Sequence, residues 1–193
     1  MATIEPTGTG RAVIPGRAPF TVDDLLELPD DGNRYELFNG SLLVSPAPTV
    51  LHQIAITYGL LLLKHAAPPQ MEVLTTVNLK ATNQDVYIPD LVVVPKKRSR
   101  TTGLMFSPQD VLLAVEVGSP STKMRDKVLK AEAYGDAGIP VYWRIEPEEG
   151  PTLWVYELKD ECYDTPVRYK AGTLASFTWP FPVSFDPAEL LGD

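Results

Sequence analysis

The sequence has 193 residues, of which 44% are hydrophobic and 22% are charged. These values are typical of one globular domain, and they exclude a disordered chain, a coiled coil and a collagen-like fibre. The net charge of −8 argues against a generally basic coat for nucleic acid. The one cysteine, Cys162, cannot form an intrachain disulfide or a thiolate zinc site. No secretory or membrane-spanning segment is predicted, so a cytoplasmic protein is expected.

The chain begins with a segment rich in glycine, proline and threonine. Residues 1–19 are predicted to be a flexible lead-in, and residues 20–193 to form a single domain. A short helix is predicted to begin after Thr21, whose hydroxyl can cap it while Asp24 caps in the opposite direction. The helix is predicted to stop by Pro29.

A hairpin and a long helix are the next predicted elements. Asn39 and Gly40 separate two apolar runs, and both residue types tolerate the positive φ angles of a tight hairpin turn. Apolar residues recur with a period of 3.6 over residues 49–66, which predicts a helix that ends before Pro68.

The remainder alternates between strands and one helix. The helix is predicted over about 123–137, with Gly138 as its C-terminal cap, and a single turn is predicted over 187–191. The order predicts an α/β or α+β domain on one mostly antiparallel sheet with one crossover. The predicted strands are 72–80, 86–94, 111–117, 141–146, 154–159, 163–169 and 173–177.

Two acidic side chains interrupt apolar strands. Glu116 lies in the run 111–117, which is otherwise apolar on both faces, so its carboxylate is predicted to point into a core or a cleft. Asp90 follows a proline at the start of another apolar strand. Two acids on neighbouring strands would form an oxygen site for a divalent cation such as Mg²⁺. Alternatively, Asp90 is a turn or cap residue, and Glu116 pairs with Arg144 in the core.

A local basic region contains Glu116. Between Lys96 and Lys130 the chain carries eight basic and three acidic side chains, although the protein is acidic as a whole. Lys123, Lys127 and Lys130 recur at helical spacing. A basic region beside paired carboxylates is typical of a site for a phosphodiester. The alternative is a solvated helix face and a basic loop.

Several motifs together match a known family. They are Arg34-Tyr-Glu-Leu-Phe-Asn-Gly, Pro89-Asp90, Val115-Glu-Val-Gly-Ser-Pro-Ser-Thr, Asp126 with Lys130, Tyr134, Gly138 and Tyr142-Trp143. With these motifs, residues from about 20 to about 187 resemble the Uma-two family of restriction endonucleases, within the PD-(D/E)XK nuclease superfamily. The resemblance implies a restriction-endonuclease-like core: a central mixed β-sheet flanked by helices, with an N-terminal β-hairpin and a metal-dependent phosphodiesterase site.

The resemblance also implies roles for individual residues. Asp90 and Glu116 match the two catalytic acids that bind the metal, Mg²⁺ or Mn²⁺. The carbonyl of Val117 would be a further metal ligand. Glu36 matches a family acid that completes the catalytic site, and its alternative is an exposed strand residue.

The catalytic lysine departs from the usual superfamily pattern. That lysine belongs two residues after the second acid, where this chain has Gly118. Lys130 matches the family variant in which the lysine lies on the next helix, and Lys127 is the nearest substitute. Lys123, Arg125 and Lys127 are predicted to contact nucleic acid.

The function that follows is a metal-dependent endonuclease that hydrolyses DNA by metal-activated water attack, and a homodimer is expected. The alternative is a nuclease-fold protein that binds nucleic acid or a protein partner without cutting. A glycosidase is less favoured because no aromatic sugar platform lies near the acids.

Four further aromatic residues are predicted to be structural. His52 is predicted to be a surface residue in the first turn of the long helix, and His65 an exposed residue near its end. Trp143 and Trp154 are predicted to pack in a core or an interface rather than stack on bases.

Overall fold

A computed structural model describes residues 17–29, 31–45, 47–118, 125–148 and 150–192, with only the backbone of residues 125–127. Most of the predicted lead-in therefore lies outside the described residues. Within the described parts of the chain, no helix is long and apolar enough to cross a membrane.

The N-terminal elements follow the sequence predictions. Helix α1 (Val22–Leu26) carries the predicted capping box between Thr21 and Asp24. Strands β1 (Arg34–Phe38) and β2 (Ser41–Ser45) form the hairpin, and Asn39 and Gly40 have φ angles of 48° and 70°. Helix α2 (Val50–Ala66) is capped by the hydroxyl of Thr49. Local sequence therefore determines these boundaries.

The remaining elements are more numerous than predicted. Two 3₁₀ helices cover Pro108–Asp110 and Pro187–Leu191, the second at the predicted turn. The other helices and strands are β3 (Met71–Thr75), β4 (Asn78–Lys80), β5 (Val86–Tyr87), β6 (Leu91–Pro95), α3 (Lys96–Thr101), β7 (Met105–Phe106), β8 (Leu113–Val117), α4 (Arg125–Asp136), β9 (Val141–Glu146), β10 (Thr152–Lys159), β11 (Cys162–Tyr163), β12 (Val167–Lys170), β13 (Ala175–Phe177) and β14 (Val183–Phe185).

The strands form three sheets among the described residues, so the prediction of one sheet was wrong. The central sheet has the order β11-β10-β9-β8-β6-β3, with β12 also paired to β10, and the second sheet has the order β2-β1-β5-β4-β7. Strands β13 and β14 form a separate hairpin. The predicted strand over 72–80 breaks at Thr76, whose φ of 53° is incompatible with a continuous strand, and its halves join different sheets.

The central sheet is mixed, which confirms the restriction-endonuclease-like core. Strands β8 and β9 are parallel, and the other pairings in this sheet are antiparallel. Helix α4 connects the parallel pair, because parallel neighbours need a crossover. Gly138 ends this connection with a φ of 78°, as its predicted role as a cap requires.

The two faces of the central sheet bury different sets of residues. On one face α2, the β13–β14 hairpin and the last 3₁₀ helix cover side chains that include Leu91, Val93, Val115 and Ile145. On the other face α4 and residues of the second sheet cover Val92, Ala114 and Tyr142. Strand alternation assigns successive residues of β8 to opposite faces.

Candidate active site

Glu116 lies near the end of β8, a strand in which every residue is buried. Lys130 Nζ of α4 lies 2.7 Å from Glu116 Oε1, and the Tyr134 hydroxyl donates a hydrogen bond of 2.5 Å to the same oxygen. Lys130 and Tyr134 are four residues apart, so one face of α4 presents both side chains to the acid. Arg144, the alternative partner, instead lies 2.8 Å from Glu146. Helix α4 thus supplies the partners of Glu116.

Glu36 reaches the same lysine from the second sheet. Its side chain is 2% exposed, so the alternative of an exposed strand residue is wrong. Glu36 Oε1 accepts a 2.8 Å hydrogen bond from the backbone N–H of Ile88 and lies 3.3 Å from Lys130 Nζ. Lys130 therefore contacts two carboxylates, from β1 and from β8.

Asp90 immediately precedes β6 and is 3% exposed. Its Oδ2 accepts a 2.9 Å hydrogen bond from the backbone N–H of Val117, the residue that follows Glu116. Arg34 Nη1 of β1 lies 3.1 Å from Asp90 Oδ1. The described structure thus assembles the two predicted acids across the β6–β8 pair, and Asp90 is more than a turn residue.

The prediction that His52 lies at the surface was wrong. It is 8% exposed rather than a surface residue, and its Nε2 lies 3.2 Å from Asp90 Oδ2. Its Nδ1 is buried without a hydrogen-bond partner among the described residues. His65, at the other end of α2, is exposed as predicted. The first turn of α2 therefore contributes a side chain to the site.

Burial and charge shift the proton affinities of the site in different directions. Burial raises the pKa of Glu116 to about 8, although Lys130 opposes the shift. Burial disfavours the charged form of Lys130, but the carboxylates of Glu116 and Glu36 outweigh it and hold the lysine pKa well above its usual range. Burial likewise opposes the charged form of Asp90, and the contacts with His52 and Val117 lower its pKa nonetheless. The two carboxylates therefore favour the protonated form of Lys130.

The predicted basic region is divided in the structure: Lys130 contacts Glu116, but the four cations at the start of the region lie away from the acids. Lys96, Lys97, Arg98 and Arg100 belong to α3, which follows the opposite end of β6 from Asp90. A five-residue strand is about 17 Å long, so these cations do not flank the acid pair as the sequence suggested. Arg98 instead binds Asp110 through two hydrogen bonds, and Arg100 lies near Glu72.

The predicted nucleic-acid contacts fall largely outside the described residues. Lys123 is not described, and of Arg125 and Lys127 only the backbone within α4 is described. Lys130 is the described lysine that reaches Glu116. The assignment of Lys123, Arg125 and Lys127 to nucleic-acid binding stays a prediction.

The donor set fits Mg²⁺ or Mn²⁺ in kind. Nowhere in the described ranges are three histidine, cysteine, aspartate or glutamate side chains grouped as a metal site. Mg²⁺ commonly needs only one or two carboxylates, because water and substrate phosphates complete its coordination. Glu116 and Asp90 supply two such carboxylates, and burial, which raises the pKa of Glu116, is a cost that a bound cation would offset. The carbonyl of Val117 stays a predicted ligand.

No functional role was predicted for three residues of this cluster, Arg34, His52 and Tyr134. Arg34 and Tyr134 stood within the quoted motifs, and His52 was interpreted as a surface residue. Tyr134 could have been found from its spacing of four residues from Lys130, since such pairs share a helix face. Nothing local indicates that Arg34 and His52 converge on Asp90, because they come from elements separated in sequence.

Comparisons with known proteins address the fold and the family. The chain resembles the crystal structure of "a putative nuclease belonging to DUF820 from Anabaena variabilis ATCC 29413", with a TM-score of 0.73 and 17% identity. The match covers 90% of this chain and 98% of that one, and at this identity it shows a shared fold. No curated protein matches the sequence. Residues 22–186 match the Uma2 (Uma-two) family, described as "Putative restriction endonuclease". The chain therefore belongs to the Uma2 family.

Proposed function

We propose that this protein is a divalent-metal-dependent endonuclease that hydrolyses phosphodiester bonds in DNA. The observation that carries the proposal is the buried contact of 2.7 Å between Lys130 and Glu116, next to an Asp90 carboxylate that is hydrogen-bonded to the Val117 N–H. Membership of a family described as restriction endonucleases supports the same class of reaction. Two acids at one end of neighbouring strands, with a lysine from the helix packed beside them, suit a metal-dependent hydrolysis.

In the proposed reaction Asp90 and Glu116 would hold the metal ion, whose chemistry would be to lower the pKa of a water molecule and to neutralise charge on the phosphate. Lys130 is not assigned the role of a base, because its neighbouring carboxylates favour its protonated form. Its role is therefore to donate hydrogen bonds that orient the water and to stabilise negative charge as the bond from the water oxygen to phosphorus forms and the P–O3′ bond breaks. The proton of the water passes to solvent, and the leaving O3′ oxygen is protonated from solvent. Glu36 positions the lysine from the opposite side.

Nicking of supercoiled plasmid tests this proposal. We expect the wild-type protein to nick plasmid with Mg²⁺ or Mn²⁺ and not with EDTA. The variants Glu116→Gln and Lys130→Met should lose nicking by at least about 100-fold, because each removes a group that contacts the reacting atoms. Glu132→Gln is the matched control, since Glu132 is an exposed acid of the same helix as Lys130. Loss of nicking in Lys127→Met with retention in Lys130→Met would move the lysine role to Lys127.

The non-cutting DNA-binding protein is a second candidate because both oxygens of Asp90 are already engaged. Arg34 contacts Oδ1, while His52 and the N–H of Val117 contact Oδ2. If the protein binds DNA without cutting it, it would retard plasmid in a gel and would not nick it with Mg²⁺ or Mn²⁺. The proposed homodimer is tested separately by light scattering.

A further inference from the structure

A row of side chains crosses the central sheet from Glu116 to its edge. Glu116 of β8 is paired in register with Arg144 of β9, Arg144 with Trp154 of β10, and Trp154 with Arg168 of β12. Residues paired in register present their side chains on the same face of a sheet. This row, which we call the arginine row (Arg144, Trp154 and Arg168), therefore begins beside the candidate acid and ends at the outer strand.

The central tryptophan holds an arginine from the strand on either side. The guanidinium carbon of Arg144 lies 5.3 Å from the centre of the Trp154 ring, and that of Arg168 lies 5.5 Å away. Both distances fall within the range of cation–π contacts. Trp154 Nε1 also donates a 3.1 Å hydrogen bond to Glu146, which in turn accepts one from Arg144. Trp154 thus orders the two guanidinium groups, and it is not a free platform for a stacked base.

The arginine row becomes more exposed with distance from the acid. Arg144 is 7% exposed, and its Nε is buried without a hydrogen-bond partner among the described residues. Trp154 is half-buried, whereas Arg168 is exposed. Lys170 lies two residues beyond Arg168 in the same strand, so it adds a second exposed cation to this face. Arg168 and Lys170 are therefore available to an anion at the sheet edge, whereas Arg144 is buried and bonded to Glu146.

We propose that the exposed end of the arginine row, Arg168 together with Lys170, binds the phosphate backbone of the DNA strand that is cut, while Trp154 holds the Arg168 guanidinium in place. The inference rests on the proposed nuclease function. From β8 to β12 the row crosses three strand spacings, or about 14 Å. That length corresponds to about four nucleotides of one strand at a rise of about 3.4 Å. Guanidinium groups suit this role because their fixed fork of donors matches phosphate oxygens.

The arginine row and the cations of α3 differ in their position relative to Glu116. The cations of α3 follow the far end of β6 from Asp90, so they lie about 17 Å along the strand from the acid pair and are not in register with Glu116. Arg144, in contrast, is the register partner of Glu116 itself. Among the cations that the structure describes, the arginine row leads continuously away from the acid on the same face.

The test is the salt dependence of binding to a fluorescein-labelled 20-base-pair duplex, measured by anisotropy in EDTA so that no cleavage intervenes. A lost phosphate contact reduces the slope of log Kd against log salt concentration by about 1. We expect Arg168→Ala to weaken binding several-fold and to show this reduction, while Arg168→Lys keeps the slope because the charge remains. Arg168 is exposed, so its replacement leaves the folded core intact.

Lys159→Ala is the matched control, because Lys159 is an exposed cation at the other end of β10. Suppose that the wild-type protein binds and nicks DNA and that Arg168→Ala and Lys159→Ala both give the wild-type slope. The proposed role of the arginine row is then overturned, and the proposed nuclease function stands. If the wild-type protein neither binds the duplex nor nicks plasmid, the proposed function fails and the arginine row fails with it.

Discussion

The two faces of the central sheet differ in what they bury. The face under α2 is apolar throughout its core, with residues such as Leu63, Val115 and Ile145. The face under α4 also contains buried charge, because Lys130 lies there between Glu116 and Glu36. Val115 and Glu116 are neighbours in one strand, yet alternation sends one into the apolar core and the other into the ionic cluster.

This difference indicates that one face mainly stabilises the fold and that the other carries the groups proposed for the chemistry. Apolar burial contributes roughly 25 cal/mol per Å² to the free energy of folding. A buried ion pair contributes little net stability, because desolvation offsets the attraction between the charges. The α2 face therefore stabilises the fold that holds Glu116 and Lys130 in place, and the α4 face is free to carry the proposed chemistry.

The largest expected effect on stability is on the α2 face. Leu63→Ala should lower the free energy of unfolding by about 3 to 5 kcal/mol, because the side chain is 1% exposed and its removal leaves a cavity. Leu61→Ala on the same helix is the matched control, and at 58% exposed it should change stability by less than about 0.5 kcal/mol. Urea unfolding measures both. Equal effects would contradict the view of α2 as a one-sided core helix.

A smaller effect is expected from the ionic cluster of the α4 face. Lys130→Met should destabilise the protein by about 2 kcal/mol at pH 8, because Glu116 and Glu36 lose their buried cation. The loss should shrink at pH 5, where Glu116 can take up a proton. Lys64→Met removes the ion pair between the exposed Lys64 of α2 and Glu72 of β3, and it should cost less than about 1 kcal/mol. A Lys130→Met variant as stable as Lys64→Met would show that the cluster is not desolvated.

The same cluster predicts an unusual dependence of stability on pH. Burial raises the pKa of Glu116 from 4.5 to about 8, so within this window the folded protein binds more protons than the unfolded chain. Stability must then fall as the pH rises from 5 to 8 in EDTA, by less than about 1.4 kcal/mol per pH unit. Glu116→Gln should abolish this fall, and Glu132→Gln should retain it. Thermal unfolding at several pH values measures the slope, and a Glu116→Gln slope equal to that of the wild type would refute the assignment.

The smallest effect is expected for His52, the residue through which α2 contacts Asp90. His52→Ala should weaken Mg²⁺-dependent nicking by about tenfold, because His52 orients the carboxylate of Asp90 without itself being a proposed metal ligand. The Mg²⁺ concentration for half-maximal nicking should rise accordingly. His65→Ala, an exposed histidine of the same helix, should leave both quantities unchanged. Identical behaviour of the two variants would remove His52 from the site.

Local signals predicted the elements whose ends depend on neighbouring residues. The capping box of Thr21, the turn at Asn39-Gly40 and the left-handed Gly138 are each determined within a few residues, and the structure confirms them. Strand β9 has the predicted bounds, Val141–Glu146. The predicted strands 72–80 and 86–94 instead divide between two sheets, since strand partners are chosen by distant segments.

The residues of the candidate site were likewise only partly predictable from the local sequence. The sequence by itself determined that Asp90 and Glu116 are acids in apolar strands, and it placed Lys130 on the following helix. Only the tertiary structure decided that Arg34 and His52 join them, because these contacts with Asp90 span up to 56 residues of chain. It also decided that the α3 cations lie apart while Arg144 lies beside Glu116. Charge can be counted along a sequence, but its distance from an acid is set by how the strands pair.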